Sequence, residues 1–369
     1  MKYYIISGEA SGDLHGSNLI KALKEEDAAA ELRAWGGDLM EAAGAVLAKH
    51  YKELAFMGIG QVLKNLPTIL GNFKFCRQDI QAFAPDVLVL IDYSGFNLRI
   101  AKWAKAQGYK VFYYISPQIW ATREKRVKKI KLYVDKMFVI LPFEADFYAK
   151  HNYPVEFVGH PLLDVIQAHK NDPDFRANNK LSSAPIIALL PGSRKQEIES
   201  MLNVMLSIVT DFPDYQFVIA GAPSISVDFY QTFVHSKSNV TLLQNKTYHL
   251  LEHSHAALVT SGTATLETAL FKVPQVVCYK AGALLYAIIK RIIKVPFISI
   301  VNLIMEKKIV QELIQHDLNT QQLKIELQQI IAGHKREEML NDYLLLSQRL
   351  GHQGASKKAA QSMVKHLRL

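Results

Sequence analysis

Residues 86–97 read DVLVLIDYSGFN and contain the clearest buried strand of the chain. Positions 87–91 are all apolar and alternate valine or isoleucine with leucine, which is typical of a strand covered on both faces in a parallel sheet. The run stops at a carboxylate, Asp92, and ligands of open parallel sheets bind beyond the carboxyl ends of the strands. Asp92 is therefore a candidate functional residue, although an aspartate followed by Ser94 and Gly95 could equally cap a turn.

Similar apolar runs recur along the chain and alternate with helical patterns. Such an alternation predicts parallel sheets with helices on both faces. The predicted strands of the first half are 2–7, 86–91, 110–115, 136–141 and 156–159, and those of the second half are 186–190, 216–220, 240–243, 256–260 and 275–279. We therefore predict an α/β protein with two Rossmann-like, doubly wound domains of similar size that face a cleft.

The domain boundaries follow from the length and from one polar segment. With 369 residues the chain exceeds what one hydrophobic core usually holds, so two domains are expected. The segment HKNDPDFRANNKLSSAP at 169–185 is polar and rich in turn-forming residues, and we predict that it is the linker. The first domain then covers 1–168 and the second 186–335.

The composition excludes several classes of protein. Apolar residues make up 49% and charged residues 21%, and the mean hydropathy of +0.03 argues against a polytopic membrane protein. Cys76 and Cys278 cannot form a disulfide framework, and the N-terminus lacks a recognisable secretory signal, so a cytosolic protein is expected. The net charge of +9 favours an anionic partner such as nucleic acid, an acidic membrane or a phosphorylated substrate.

The loop after the first predicted strand, GEASGDLHG at 8–16, carries three glycines that let its backbone approach another group closely. A helix is predicted to start near Ser17, and its N-terminus could hold an anion. Glu9 and Asp13 could contact hydroxyl groups of a ligand. The loop matches neither the dinucleotide-binding fingerprint nor the Walker A motif, so it is a weak signal by itself.

The second half contains a strand, turn and helix suited to bind phosphate, IIALLPGSRKQEI at 186–198. Gly192, Ser193 and Arg194 lie at the predicted helix start. Backbone N–H groups, a hydroxyl and a guanidinium would converge there on a phosphate. The alternative is an ordinary capped helix with a surface arginine.

A second such element is AALVTSGTATLE at 256–267, with Glu267 about one turn into the helix. The carboxylate of Glu267 could accept hydrogen bonds from two ribose hydroxyls, or could simply be favoured by the helix dipole. The residues around this helix N-terminus are Ser261, Gly262, Thr263 and Thr265. Because neither an Asp-x-Asp pair nor a His/Cys cluster with ligand spacing stands beside these elements, we expect a diphosphate to bind without a required metal or other cofactor.

The ordered set of motifs resembles the lipid-A-disaccharide synthases, glycosyltransferase family 19. The resemblance runs from Met1 to about Asn302 and on into the C-terminal helices. The motifs are, in order, SGEASGDLHG, ELAFMGIGQVL, IDYSGFN, ISPQIWATREKRVKKI, LPFE, VGHPLLD, LLPGSRKQEI and SGTATLETAL. The resemblance implies a type B glycosyltransferase fold, in which the C-terminal helices, here 336–369, cross back to the first domain.

The resemblance also implies a reaction in which UDP-2,3-diacylglucosamine and 2,3-diacylglucosamine 1-phosphate give a β-1,6-linked disaccharide 1-phosphate and UDP. A β product from an α-linked sugar nucleotide requires inversion, for which one general base suffices. Asp92 matches the family position assigned as base, and Glu9 is the competing candidate. Arg194 and the two helix N-termini would stabilise the leaving diphosphate. Asn302 could orient the sugar or the diphosphate, or could be a buried amide bonded to backbone.

Acylated substrates require a lipid-handling surface, and three stretches are candidates. Residues 54–73 and 281–305 are largely apolar, and 123–131 reads REKRVKKIK, which could bind the acceptor phosphate or an acidic leaflet. Each could instead be an amphipathic or solvated helix of the domain itself. The candidate residues on the acceptor and lipid side are Ser11, Gly12, Asp13, Met57, Arg123 and Arg126.

The expected partners are the two acylated sugars and the inner face of the cytoplasmic membrane, on which a cytoplasmic protein would lie peripherally. A homodimer is possible, and nucleic acid is not expected. Two rival functions remain: a UDP-sugar 2-epimerase of the same fold, and a non-enzymatic binder of nucleic acid or anionic lipid. An NAD-dependent oxidoreductase is disfavoured because the dinucleotide fingerprint is absent.

Overall fold

A computed structural model of the protein describes residues 1–54, 66–234, 239–282, 286 and 295–369. The chain folds as two α/β units. The first consists of Met1–Asp164 together with Leu350–Leu369, and the second consists of Val165–Arg349. Within the described residues, none of the helices combines the length and apolar character that a membrane span needs.

The first unit is built on a parallel sheet of seven strands in the order β3-β2-β1-β4-β5-β6-β7. The strands are β1 (Lys2–Ile6), β2 (Glu31–Gly36), β3 (Val46–His50), β4 (Val87–Ile91), β5 (Lys110–Tyr114), β6 (Lys136–Val139) and β7 (Glu156–Phe157). The helices that connect them are α1 (Ala10–Glu26), α2 (Asp38–Ala42), α3 (Leu66–Phe83), α4 (Ser94–Ala106), α5 (Ile119–Thr122), α6 (Val127–Tyr133), α7 (Pro142–Ala149) and α8 (Leu162–Gln167), with 3₁₀ turns at Tyr51–Leu54 and Glu124–Arg126.

The second unit is built on a parallel sheet of six strands in the order β10-β9-β8-β11-β12-β13. The strands are β8 (Ile186–Leu190), β9 (Gln216–Gly221), β10 (Val240–Gln244), β11 (Ser254–Thr260), β12 (Gln275–Tyr279) and β13 (Gln311–Ile314). The helices are α9 (Phe175–Asn178), α10 (Lys195–Leu206), α11 (Val227–Val234), α12 (Thr247–Glu252), α13 (Thr263–Leu270), α14 (Ile300–Met305), α15 (Thr320–Ile331) and α16 (His334–Arg349), with a 3₁₀ turn at Val209–Asp211.

Both sheets reverse their strand order beside their first strand, and this fixes where a ligand can bind. In the first sheet β1 and β4 are neighbours, with Ile6 paired to Leu90. In the second sheet β8 and β11 are neighbours, with Leu190 paired to Val259. Ligands of doubly wound sheets bind beyond the carboxyl ends of such a strand pair. The predicted fold, two doubly wound α/β sheets, is thus confirmed, and Asp92 follows one of these strands.

All ten predicted strands are present within a few residues of their predicted ends, and three strands were missed. The missed strands are β2, β3 and β13, two of which lie at sheet edges. Polar residues interrupt their apolar pattern, but these residues have partners: Arg33 of β2 pairs with Asp79 of α3 at 2.6 Å (Nη2 to Oδ1). Glu312 of β13 accepts the backbone N–H of Ser299 at 3.0 Å.

The segment predicted to be a linker, 169–185, belongs to the second unit. Phe175 within it is fully buried in the core of that unit. The guanidinium of Arg176 donates to the carbonyl oxygens of Ser182 at 2.7 Å and Ala184 at 3.0 Å, which folds the segment back on itself. The segment does contain turns, as predicted, but the burial of Phe175 in the core makes it part of the second unit.

The C-terminal helices divide between the two units. Helix α16 stays with the second unit, whereas helix α17 (Ala355–Arg368) belongs to the first. The predicted crossing therefore begins near residue 350 rather than at 336. Helix α17 packs on α1 through a face of small and apolar residues, and the hydroxyl of its Ser356 lies 3.2 Å from that of Tyr114. The buried residues of this face include Ala359, Ala360, Met363 and Val364.

Candidate active site

Asp92 lies in a strained turn between β4 and α4. Asp92 and Tyr93 both have positive φ angles, 42° and 44°, which residues other than glycine rarely adopt. Neighbouring groups hold this backbone. The amide of Asn97 donates to the carbonyl oxygens of Asp92 at 2.9 Å and Ile91 at 3.1 Å, and the hydroxyl of Tyr113 also donates to the Asp92 carbonyl. Strain held in this way is common at functional sites.

The electrostatic surroundings of Asp92 suit a general base. Protein atoms around the carboxylate remove part of its hydration, and this desolvation is the main reason why its pKa is raised to about 6. The negative charge of Glu9, after β1, raises the pKa further, while the Tyr93 N–H lowers it. The side chain is nevertheless exposed. A carboxylate with a pKa near 6 is ionised at neutral pH and is a stronger base than an ordinary aspartate.

The glycines of the 8–16 loop pack against the domain itself. Helix α1 begins at Ala10, so the prediction of a start near Ser17 is wrong. A Cβ added at Gly8 would lie 2.5 Å from the Tyr93 ring, and one added at Gly12 would lie 2.8 Å from the Cβ of Ser7. The glycines thus allow α1 to lie close to β1 and to the Asp92 turn. Gly12 therefore contributes through packing.

The prediction that Asp13 contacts a ligand hydroxyl is wrong. Its side chain is 2% exposed, and its carboxylate accepts the backbone N–H groups of Gly37 at 2.8 Å, Met40 at 3.0 Å and Leu39 at 3.2 Å. Asp13 therefore caps α2. Its neighbour Ser11 is exposed in the first turn of α1, as Glu9 is at the N-cap.

The basic segment 123–131 reaches the Asp92 turn. The guanidinium of Arg126 donates to the hydroxyl of Ser94 at 2.8 Å. Burial lowers the pKa of Arg126, and the nearby charge of Arg123 lowers it further. Arg126 thus contacts the turn that carries the candidate base, and Arg123 lies close enough to Arg126 to affect its charge. Met57 falls outside the described residues, as do the other residues of 55–65 in the first apolar stretch and residues 283–285 and 287–294 in the second.

The turn after β8 already binds a carboxylate. The N–H of Ser193 donates to Glu197 Oε2 at 3.3 Å, and Arg194 Nη1 donates to Glu197 Oε1 at 2.9 Å. Gly192 has a φ of +111°, and a Cβ there would lie 2.9 Å from the same carboxylate. The groups predicted to hold a phosphate therefore converge on an oxyanion supplied by the chain itself.

The turn after β11 is partly open. Gly262 and Thr263 are exposed, and a Cβ added at Gly262 would meet nothing within 4 Å. Ser261 donates its hydroxyl to the Ile298 carbonyl at 2.9 Å. The prediction that Thr265 contacts a ligand is wrong, because Thr265 is fully buried and its hydroxyl donates to the Gly262 carbonyl at 2.8 Å.

Glu267 lies one turn into α13, where the hydroxyl of Tyr248 donates to its Oε1 at 3.2 Å. Burial raises the pKa of Glu267, and the Tyr248 hydrogen bond opposes this shift. The carboxylate is partly accessible, so it retains acceptor capacity for a hydroxyl.

Asn302 is a buried structural amide. It is fully buried, its Nδ2 donates to the Val310 carbonyl and to Glu312 Oε1, both at 2.9 Å, and its Oδ1 accepts the N–H groups of Ile309 and Val310. All its hydrogen-bonding capacity is used within the unit. The structure thus shows the buried amide that was the alternative, and a role of Asn302 in orienting a substrate stays a prediction.

Comparison with known proteins identifies the family. A model of the lipid-A-disaccharide synthetase family matches residues 3–366. The chain belongs to the lipid-A-disaccharide synthase family. Among curated members, the enzyme of Syntrophus aciditrophicus is 38% identical over 364 residues, covering 96% of this chain and 95% of its own, and that of Coxiella burnetii strain Dugway 5J108-111 is 37% identical over 350 residues, covering 91% and 90%. The protein is thus a glycosyltransferase.

Solved structures show the same fold at low identity. The glycosyltransferase of kitacinnamycin has a TM-score of 0.71 and is 14% identical, with 99% of both chains covered. UDP-GlcNAc 2-epimerase from Neisseria meningitidis, solved with UDP-GlcNAc, has a TM-score of 0.69 and is 14% identical, covering 99% of this chain and 100% of its own. The protein therefore has the type B glycosyltransferase fold.

Several residues that contact the candidate groups were not predicted from the sequence. Asn97 and Tyr113 hold the Asp92 turn, and Tyr248 contacts Glu267. The Asn in IDYSGFN was visible as a polar residue in an apolar helix pattern, whereas the two tyrosines gave no signal. His169, His249 and Glu252 also come together, with ligand atoms within 4.8 Å of one another, and their sequence separation concealed them.

Proposed function

We propose that the protein joins UDP-2,3-diacylglucosamine to the 6-hydroxyl of 2,3-diacylglucosamine 1-phosphate, forming a β-1,6 bond with inversion and releasing UDP. The family membership supports the reaction class. The observation that carries the chemistry is the Asp92 carboxylate, which follows a strand at the switch point and has its pKa raised to about 6.

In the proposed mechanism Asp92 removes the proton of the acceptor 6-hydroxyl as the hydroxyl oxygen attacks the anomeric carbon. The bond between that carbon and the diphosphate oxygen breaks at the same time, and UDP leaves with the electron pair. The proton remains on the Asp92 carboxylate until solvent removes it. Glu9 supports this step by keeping Asp92 basic through its charge.

The leaving UDP would be bound by the second unit. The N–H of Ser193 and the guanidinium of Arg194 would transfer from Glu197 to the diphosphate, aided by the open helix N-terminus at Gly262 and Thr263. The partly accessible Glu267 would accept hydrogen bonds from the ribose. These groups carry the stabilisation expected for charge that develops on a leaving diphosphate.

The acceptor would be bound by the first unit. Arg123 and Arg126, beside the Asp92 turn, are suited to its 1-phosphate. Because both substrates carry acyl chains, we place the protein peripherally on the inner face of the cytoplasmic membrane. Dimerisation also remains part of this proposal.

Mass spectrometry of the products from the two acylated substrates tests the proposal. Asp92→Asn should reduce disaccharide formation by about 10²–10⁴-fold, which is the usual contribution of a general base. The matched control is Asp86→Asn, at the opposite end of β4, where the carboxylate accepts the Lys2 N–H at 2.7 Å. Near-normal turnover by Asp92→Asn would exclude Asp92 as the base.

A UDP-sugar 2-epimerase is the second candidate, favoured by the fold shared with the Neisseria epimerase. Incubation with UDP-GlcNAc and no acceptor distinguishes the two functions. An epimerase would produce the 2-epimer, whereas the proposed transferase would return the sugar nucleotide unchanged.

A further inference from the structure

A cluster of three metal-binding side chains lies in the second unit, and none of the three is among the groups assigned above to the UDP site. His249 and Glu252 are three positions apart on α12 and therefore share a face of the helix. His169, from the segment before α9, lies against them. One ligand atom from each residue lies within 4.8 Å of the other two.

The spacing is close to what a tetrahedral cation needs. Ligand atoms about 2.0–2.2 Å from a zinc ion lie about 3.3–3.6 Å from one another in a tetrahedron. His169 Nε2 and Glu252 Oε2 are 3.2 Å apart. The centroids of the His169 and His249 rings are 4.5 Å apart, and their planes are inclined by 55°. The ligand atom of His249 lies within 4.8 Å of the ligand atoms of His169 and Glu252.

One nitrogen of the cluster lacks a partner. The Nδ1 atom of His249 is buried and makes no hydrogen bond with any of the residues that the structure describes. Buried polar atoms are nearly always satisfied, so this atom points to a ligand. The rings of Phe175, 6.1 Å from His249, and Phe271, 5.6 Å from His169, enclose the imidazoles in an apolar shell.

We propose that His169, His249 and Glu252 bind one zinc-like divalent cation. Two imidazoles and one carboxylate form a ligand set that zinc uses in proteins, with the fourth position left to water. Imidazole nitrogens favour zinc, cobalt, nickel or copper over magnesium and calcium, which prefer oxygen ligands. The proposed glycosyl transfer does not require this ion.

The position of the site indicates what the ion would do. The ion would join the 169–185 segment to α12. Helix α12 also carries Tyr248, the residue before His249, whose hydroxyl donates to Glu267. A bound ion would therefore stabilise the second unit and restrict α12. The expected effect is on stability, and it can be measured without substrate.

Titration of the untagged full-length protein with zinc chloride, after treatment with EDTA and dialysis, tests the site. We expect calorimetry to show one equivalent bound per chain, a higher melting temperature, and a visible absorption spectrum of low-symmetry Co²⁺ when cobalt replaces zinc. His249→Phe keeps the ring stacking but removes the ligand, and it should weaken binding at least about tenfold, because even outer-shell partners change metal affinity about 10- to 100-fold.

Two further variants make the test decisive. Glu252→Gln should weaken binding similarly, and it replaces His249→Phe if that protein does not fold. His253→Phe is the matched control. The ring of His253 also stacks on Phe175, at 4.9 Å, but its Nε2 is hydrogen-bonded to the Asp172 carbonyl and does not belong to the cluster. The proposal is overturned if the wild type shows no one-equivalent saturation, if both ligand variants bind as the wild type does, or if the control loses binding equally.

Discussion

Two carboxylates, Asp92 and Glu9, follow adjacent strands, and a pH profile separates their roles. In the wild type, kcat/KM should rise with pH and level off above about pH 6, where Asp92 becomes ionised. The charge of Glu9 helps to raise the pKa of Asp92. Glu9→Gln should therefore lower that pKa and move the acidic limb to lower pH, with the plateau largely retained.

The same variant distinguishes the competing base. If Glu9 removed the proton itself, Glu9→Gln would abolish turnover at every pH instead of shifting the profile. Glu25→Gln, an exposed acid on α1, serves as the control and should leave both the plateau and the midpoint unchanged. The measurement is kcat/KM between pH 4.5 and pH 8.

Arg194 offers a second test of a single residue. Arg194→Ala should reduce kcat/KM about 10²–10³-fold, the usual effect of losing one donor to a developing anion, and should weaken UDP binding in calorimetry. The melting temperature should hardly change, because the Arg194–Glu197 pair is exposed and such pairs stabilise by at most about 1 kcal/mol.

Lys195→Ala is the control for Arg194, since this neighbouring cation lies 5.6 Å from the centre of the Phe229 ring. Equal losses in the two variants would indicate a general effect of charge. They would exclude Arg194 as a specific phosphate ligand.

At the scale of elements, the turn between β4 and α4 depends on Asn97. Its side chain is fully buried and donates to carbonyl oxygens at the ends of both β1 and β4, including Ile6 at 3.4 Å. Asn97→Ala leaves those carbonyls unsatisfied, so we expect the free energy of unfolding to fall by about 1–3 kcal/mol. Turnover should fall as well, because the positive φ of Asp92 loses its support.

Urea denaturation and the product assay together check this prediction. Asn203→Ala is the control, because Asn203 is exposed and its amide donates to the Glu199 carbonyl of its own helix at 3.3 Å. Wild-type stability and turnover in Asn97→Ala would show that the strained turn holds without this side chain.

The central strands could be predicted from the sequence because they are continuous apolar runs. The prediction failed where the structure of a segment depends on a contact with a residue far along the chain. Strand β2 contains Arg33, whose charge is tolerated because Asp79, far along the chain, pairs with it. Asp13 was predicted to contact a ligand because it lies in the glycine-rich loop after β1, and Asn302 because it matches a polar residue of the family's cleft. Their partners, which are mostly backbone groups, are brought to them only by the folded chain. Asp92 and Arg194 could be proposed because their positions follow from the strand order alone.

At the scale of the whole molecule, the first unit contains both ends of the chain. Deletion of 350–369 removes α17, whose apolar face packs on α1. Because α1 would then be uncovered, the first unit should be destabilised. The second unit ends at Arg349 and should keep its stability. Hydrogen exchange followed by mass spectrometry would show faster exchange in β1 and α1 and unchanged exchange in β8 and β11. Equal loss of protection in both units would contradict this prediction.

This chain order also affects biosynthesis. The ribosome makes the amino end first, yet the first unit lacks helix α17 until residues 355–368 have been made. The second unit, by contrast, has all its described strands and helices before residues 350–369 emerge. The second unit, which is proposed to bind the nucleotide, should therefore complete its fold first. The first unit is made earlier but would expose the apolar surface that α17 covers, and a chaperone would have to shield this surface.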